Sequence, residues 1–120
     1  MIVTLTLPQP PSINGYWRTF QNRQILSARG REYRETALWT IKSKKIPSFG
    51  DKRLKLSMVL CPRDKRKCDL DNYCKAVLDA LQKAGVYEDD WQIDRLEMIR
   101  GEPIKDGAIH ITIETIENTP

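Results

Sequence analysis

The stretch from Arg66 to Asp90, RKCDLDNYCKAVLDALQKAGVYEDD, contains the clearest helical pattern in the chain, and the fold is organised around it. Its apolar residues recur at the i, i+3, i+4 and i+7 spacing of one helix face. They are Leu70, Tyr73, Cys74, Val77, Leu78 and Leu81. Gly85 stands where a helix C-cap is expected. The pattern predicts an amphipathic helix of about fourteen residues, with a basic run before it and an acidic cluster after it.

Strands and one further helix are predicted around this stretch. Apolar and polar residues alternate with the period of a half-buried strand in four segments: 1–7, 54–60, 92–100 and 108–116. A first, basic helix is predicted from its N-cap Ser27 to about Lys45. The segment SINGYWRTFQNRQILS, which precedes it, is expected to form an irregular loop or a short hairpin around Gln21 and Asn22.

The predicted elements follow one another as strand, helix, strand, helix, strand, strand. This order indicates an α/β (α+β) fold in which a mixed β-sheet of about four strands carries two main helices. At 120 residues, the chain has enough material for one hydrophobic core and little surplus for a second. A single domain over residues 1–120 is therefore expected.

The composition indicates which kind of binding partner and which cellular compartment to expect. Twenty Lys and Arg against sixteen Asp and Glu give a net charge of +4, which fits a polyanionic partner. Cys61, Cys68 and Cys74 form neither a CxxC pair nor an even-numbered disulfide framework, so we expect a reducing, cytoplasmic location. No secretory leader or membrane-length apolar run is apparent, and no membrane association is expected.

Asp69, Asp71 and Asp90 are candidate ligands for a divalent cation. Mg²⁺ and Mn²⁺ prefer carboxylate oxygens, usually one or two from protein together with water and substrate phosphate. Such an ion polarises a scissile phosphate and lowers the pKa of an attacking water. Lys75, on the polar face of the helix, would stabilise the extra negative charge of the transition state.

The position of Asp90 sets a geometric condition on this site. A helix of about fourteen residues is about 21 Å long, so Asp90 starts at the opposite end from Asp71. An extended segment from Gly85 to Asp90 spans roughly 17 Å. The chain must therefore run back along the helix, or Asp90 must come from a partner subunit.

Simpler interpretations of the same residues stay open. Asp69 would act as an N-cap, and Asp71 in the first turn would interact favourably with the helix dipole. Both would then stabilise the helix without any metal. The acids from Glu88 to Asp90 would form a solvated turn. Lys75 and Asp79 would form an ordinary surface pair at i, i+4.

Two segments carry candidate DNA contacts. The loop CPRDKRKC is basic, and its cations would contact phosphates without sequence preference. These residues are Arg63, Lys65, Arg66 and Lys67. In the segment around Asn14, Tyr16 and Arg18, aromatic and arginine residues alternate, which suits stacking on bases and pairing with phosphates. The alternative is that the aromatics anchor a long loop to the core.

The central stretch resembles the signature of the RusA family of Holliday junction resolvases. In that signature, basic residues precede a DLDN motif, a KAxxDAL helix, a glycine and a DD pair. The resemblance includes PPSINGYWR, from Pro10 to Arg18, and so touches most of the chain. Cys68 departs from it, because another basic residue is expected there. The resemblance implies a RusA-like fold.

The resemblance also implies a homodimeric, Mg²⁺-dependent endonuclease that makes paired nicks in four-way DNA junctions. Asp69 and Asp71 match the DLDN aspartates, Asp90 matches the second residue of the DD pair, and Lys75 matches the lysine after DLDN. Asn72, Asp79 and Asp89 match further motif positions without an assigned role. A less selective metal nuclease and a non-enzymatic junction-binding protein are the competing hypotheses.

Overall fold

The structure, a computed structural model, describes residues 1–117. The strands are β1 (Ile2–Leu7), β2 (Trp17–Phe20), β3 (Arg23–Leu26), β4 (Leu54–Cys61), β5 (Ile93–Arg100) and β6 (Ala108–Thr115). The helices are α1 (Ile13–Tyr16), α2 (Ala28–Ser43) and α3 (Asp71–Lys83), and a 3₁₀ turn covers Asp90–Gln92. The predicted domain extends to residue 120, and its last three residues lie outside the described part of the chain.

Four strands form one mixed sheet in the order β1, β6, β4, β5. β4 and β5 run parallel, and α3 connects them, because parallel neighbours need a long crossover. β6 is antiparallel to both of its neighbours, β1 and β4. This arrangement confirms the predicted mixed sheet of about four strands with two main helices.

The core lies between this sheet and the helices. Alternate residues of the inner strand β4, from Leu54 to Leu60, are fully buried, as their apolar and polar alternation predicts. They belong to one cluster with the buried side chains of β6 and the apolar faces of α2 and α3. The other face of the sheet is mostly polar, and there Thr6 Oγ1 lies 2.9 Å from Nδ1 of the exposed His110.

The segment before α2 forms a hairpin, which is one of the two predicted outcomes. β2 and β3 pair as a separate two-stranded antiparallel sheet. Gln21 and Asn22 connect them with φ values of 50° and 62°, the left-handed conformation of a two-residue turn that matches strand twist. The short helix α1 was not predicted. Its sequence signal is Ser12, whose hydroxyl accepts the Gly15 N–H at 3.3 Å as an N-cap.

The start of α3 differs from the simpler interpretation of its aspartates. The N-cap is Leu70, which is already helical, and no side chain caps the helix within the described residues. Asp69 contributes only its carbonyl, which accepts the Asn72 N–H at 3.0 Å. The Asp69 carboxylate is therefore not used as a cap. At the other end, Gly85 follows the C-cap Ala84 with φ of 84°, a conformation that glycine adopts without strain.

Within residues 1–117, no helix combines the length and apolar character that crossing a membrane requires.

We predict that Gly30→Ala destabilises the protein. A Cβ on Gly30 would lie 2.5 Å from the Tyr16 carbonyl oxygen and 2.6 Å from Cδ1 of Leu26, because α2 packs closely on α1 and β3. Overpacking of this kind costs about 1–3 kcal/mol. Urea unfolding should show that loss. Gly15→Ala is the matched control, since its Cβ would make only ordinary contacts at 3.5 Å and beyond. Equal effects of the two substitutions would contradict the packing argument.

Candidate metal centre and nucleic-acid interface

Two aspartates of the predicted ligand set lie at the head of α3. Asp69 precedes the helix by two residues, Asp71 is its first residue, and both are exposed. The unsatisfied N–H groups of a helix N-terminus favour negative charge nearby, so this end of α3 suits carboxylate side chains. Two carboxylates in one exposed turn provide the oxygen ligands that Mg²⁺ prefers.

The structure brings Asp90 back to α3 within the same chain. Its Oδ2 accepts a hydrogen bond from Lys75 Nζ at 3.1 Å. Lys75 is one helical turn after Asp71, about 6 Å further along the axis. The segment after Gly85 thus runs back along the helix, as the predicted site requires. Lys75 pairs with Asp90 and not with Asp79, so the proposed surface pair was wrong.

The three predicted ligands do not form a complete cluster. Among residues 1–117, no three His, Cys, Asp or Glu side chains are arranged to hold one metal ion. The ligand set Asp69, Asp71 and Asp90 therefore stays a prediction. Mg²⁺ commonly uses only one or two protein carboxylates, with water and substrate phosphate as further ligands.

A buried glutamine holds the segment that carries Asp90. Gln92 is 5% exposed, and its Oε1 accepts the N–H groups of Glu88 and Asp89 at 2.9 and 3.0 Å. Its Nε2 donates to the carbonyls of Gly50 and Lys52 at 2.9 and 2.6 Å. One side chain therefore joins the acidic turn to the loop before β4. Sequence reasoning missed Gln92, although Asp89 and Gln92 have the spacing of a capping box.

Two neighbours of Asp90 fix the turn further. Asp89 Oδ1 accepts the Trp91 N–H at 3.0 Å, and this bond holds the pKa of Asp89 below its usual value. Arg53 forms a bidentate ion pair with Asp94, and its guanidinium lies 4.2 Å from the centre of the Trp91 ring. Asp89 therefore acts as a turn cap, a role that the sequence had left unassigned.

The structure corrects the predicted DNA contact at Tyr16. This side chain is fully buried, so it does not stack on bases. Its hydroxyl donates to Asp79, which also accepts a hydrogen bond from Arg34 Nε at 2.8 Å. Burial and the bond to Asp79 raise the pKa of Tyr16 well above its usual value, so it stays a donor at neutral pH. Tyr16 therefore anchors this segment to the core, which is the alternative interpretation given above.

The other predicted DNA contacts are accessible. Exposed side chains are present at Asn14, Arg18, Arg63, Lys65, Arg66 and Lys67. Arg66 Nη2 lies 2.9 Å from Asp64, and the bond from its side chain is the main cause of the lowered pKa of Asp64. Because Arg66 remains mostly exposed, this pair contributes little to stability and leaves the cation accessible.

Arg100 adds a cation to the basic loop that sequence reasoning missed. It lies at the end of β5, and its guanidinium donates to Cys68 Sγ at 3.0 Å and to the Cys68 carbonyl at 2.8 Å. Arg100 thus provides positive charge at the one motif position where a basic residue was expected and Cys68 stands. Together with Lys65, Arg66 and Lys67, it lines an open pocket of about 540 Å³ that also includes Asp69.

Comparison with known proteins identifies related sequences. Residues 8–114 match the family model described as endodeoxyribonuclease RusA. The chain is 38% identical over 112 residues to the crossover junction endodeoxyribonuclease RusA of Enterobacteria phage HK97, covering 93% of each chain. It is 35% identical over 115 residues to the protein of that name in Escherichia coli K12, covering 96% of each. The corresponding protein of Enterobacteria phage 82 is 35% identical over 114 residues, with 95% of each chain covered.

We predict that Gln92→Glu lowers the free energy of unfolding by at least about 2 kcal/mol, because the carbonyls of Gly50 and Lys52 would face an acceptor instead of a donor. Urea unfolding measures this loss, and faster hydrogen exchange at the Glu88 and Asp89 amides would locate it. Gln24→Glu, on the exposed strand β3, is the control and should change stability by less than about 0.5 kcal/mol. A similar stability for both variants would refute the role given to Gln92.

Proposed function

The chain belongs to the RusA family of endodeoxyribonucleases, and on that premise we propose that it resolves four-way (Holliday) junctions in DNA by paired nicks. The reaction is hydrolysis of a phosphodiester bond in each of two strands, as part of DNA recombination and repair. The observation that carries the proposal is the return of Asp90 to Lys75 on α3, one helical turn after Asp71 of the DLDN motif. This contact joins separate parts of the family signature at one place in the fold.

We propose that Asp69, Asp71 and Asp90 hold Mg²⁺, with Mn²⁺ as a substitute. The donor set suits a hard cation, because all three are carboxylates and the two at the head of α3 are exposed. A bound ion supplies a Lewis acid for the scissile phosphate and lowers the pKa of the attacking water.

Lys75 stabilises negative charge that develops on the phosphate. It is on the same helix as Asp71, and its ammonium is held by Asp90 and remains half exposed. A preorganised cation of this kind stabilises the transition state without reorganising during the reaction.

The basic loop before α3 binds the DNA backbone. Its exposed cations and Arg100 surround an open pocket that includes Asp69, so phosphate bound there would lie next to a proposed metal ligand. Such contacts are largely independent of sequence and weaken steeply with salt. Arg18 and Asn14 extend this interface to the other exposed segment.

A homodimer is the assembly that fits the substrate. A four-way junction has two equivalent strands to cut, and a two-fold dimer presents two equivalent sites. β5 is an edge strand of the sheet, and its Leu96 and Ile99 are 50% and 45% exposed. An open edge strand with exposed apolar residues is a surface that a second copy would cover.

The free thiols Cys61, Cys68 and Cys74 favour a reducing cytoplasmic compartment.

We predict that Asp71→Asn abolishes nicking of a synthetic four-way junction. A loss of roughly 100-fold or more is expected, the scale seen when one group that stabilises transition-state charge is removed. Junction binding should persist, because the substitution removes a negative charge and leaves the basic loop intact. Gel assays with Mg²⁺, Mn²⁺ or EDTA measure both properties.

The matched control is Glu35→Gln, the same carboxylate-to-amide change at an exposed position of α2. It should nick at the wild-type rate. Wild-type cleavage by Asp71→Asn would remove that residue from the site. Equal wild-type cleavage of junction, flap and linear duplex would favour the less selective nuclease, and no cleavage with any divalent ion would favour the non-enzymatic binder.

For the dimer, light scattering coupled to size exclusion should give twice the chain mass of 13.9 kDa. Leu96→Arg should shift the protein towards the monomer, because it places a charge in the contact between edges. Ile2→Arg, on the opposite edge strand β1 and 63% exposed, should leave the mass unchanged. A monomeric wild type, or dissociation by Ile2→Arg alone, would contradict this assembly.

A further inference from the structure

The β2–β3 hairpin projects from the body of the protein. It forms its own two-stranded sheet, separate from the four-stranded sheet. Every residue from Arg18 to Gln24 is exposed. The base of the hairpin is held firmly, since Ser27 Oγ donates to the carbonyls of Gly15 and Tyr16 at 2.6 and 2.9 Å. Because its base is fixed and its tip is exposed to solvent, the hairpin is placed to contact a bound partner.

Phe20 is the aromatic residue at this tip. It is the last residue of β2, directly before the left-handed turn at Gln21 and Asn22, and it is 51% exposed. The Arg18 guanidinium lies over its ring, 5.8 Å from the centroid. The ring therefore contributes little to the core, and half of its apolar surface is in contact with water in the isolated chain.

The surroundings of Phe20 are positively charged. The first acidic residue of the whole chain is Glu32, so the hairpin and its base contain no carboxylate side chain. Arg18 and Arg23 lie on the two strands, and Arg29 and Arg31 follow at the start of α2. Charge complementarity therefore selects a polyanion as the partner. An aromatic ring among arginines is the combination that binds bases and their phosphates together.

We propose that Phe20 stacks on a base at the branch point of the junction, while Arg18 and Arg23 contact the adjoining phosphates. This proposal rests on the proposed function, because the junction is the substrate considered there. Base stacking is interrupted at a branch point, so a base is exposed there at lower cost than inside a duplex, where unstacking costs a few kcal/mol. Phe20 would thus favour junctions over duplex, and the arginines would bind both.

The two exposed tryptophans are poorer choices for this role. Trp91 is already in contact with the Arg53 guanidinium at 4.2 Å, within the segment that carries Asp90. Trp39 is 73% exposed but lies in α2, away from a turn tip and within four residues of the acidic Glu35. Trp39 therefore serves as a control for general loss of an exposed aromatic ring.

The test compares the affinities of a four-way junction and a linear duplex of the same sequence, measured by fluorescence anisotropy with Ca²⁺ in place of Mg²⁺. Phe20→Ala should weaken junction binding about 10-fold, as expected for one lost base stack, and change duplex binding less than about 2-fold. Phe20→Tyr should retain wild-type junction affinity, because it keeps the ring. Arg18→Ala should weaken both substrates and reduce the salt dependence, because phosphate contacts carry no structural selectivity.

The control Trp39→Ala should bind both substrates as the wild type does. An equal loss for junction and duplex in Phe20→Ala, an unchanged junction affinity, or a loss in Phe20→Tyr equal to that in Phe20→Ala would each overturn the proposal. Wild-type nicking of the junction with Mg²⁺ is measured in parallel. If the wild type nicks but Phe20→Ala binds normally, only the role of Phe20 fails, whereas a wild type that does not nick contradicts the proposed function.

Discussion

A single mostly buried carboxylate, Asp79, joins the three helices above the sheet. It accepts hydrogen bonds from Tyr16 of α1 and from Arg34 of α2, and it lies on α3 itself. Because these groups are largely withdrawn from water, each needs the others to satisfy its hydrogen bonds and charge. Tyr16 also directly precedes β2. The network therefore sets the position of the projecting hairpin relative to the helix that begins with Asp71.

The candidate site depends on a second polar connection, through Gln92. α3 alone presents Asp71 and Lys75, and it cannot determine where the chain goes after Gly85. The four hydrogen bonds of the Gln92 amide attach the acidic turn to the loop before β4. Since β4 is one of the two inner strands of the sheet, this connection ties the segment that carries Asp90 to the sheet. A buried amide of this kind leaves none of its own polar atoms unsatisfied within the described residues.

The charges divide into acidic and basic regions that meet at the head of α3. The proposed ligands Asp69 and Asp71 lie beside a loop of exposed cations, to which β5 adds Arg100. Carboxylates on their own would repel a phosphodiester. The neighbouring cations would offset this repulsion. The arginines of the hairpin form a second basic region from a different part of the chain, so the proposed DNA contacts are distributed over both.

The sequence by itself determined the four strands of the main sheet and the two main helices, and it predicted a hairpin around Gln21 and Asn22 as one of two outcomes, because apolar periodicity and turn residues act between close neighbours. Its motif order also indicated the family and the candidate residues Asp69, Asp71, Lys75 and Asp90. Only the tertiary structure decided that Tyr16 is buried, that Asp79 pairs with Arg34, and that Gln92 holds the acidic turn. Periodicity shows which face of an element is buried, but it does not show which polar groups meet. Those pairs join residues tens of positions apart, and the packing of α1, α2 and α3 on the sheet brings them together.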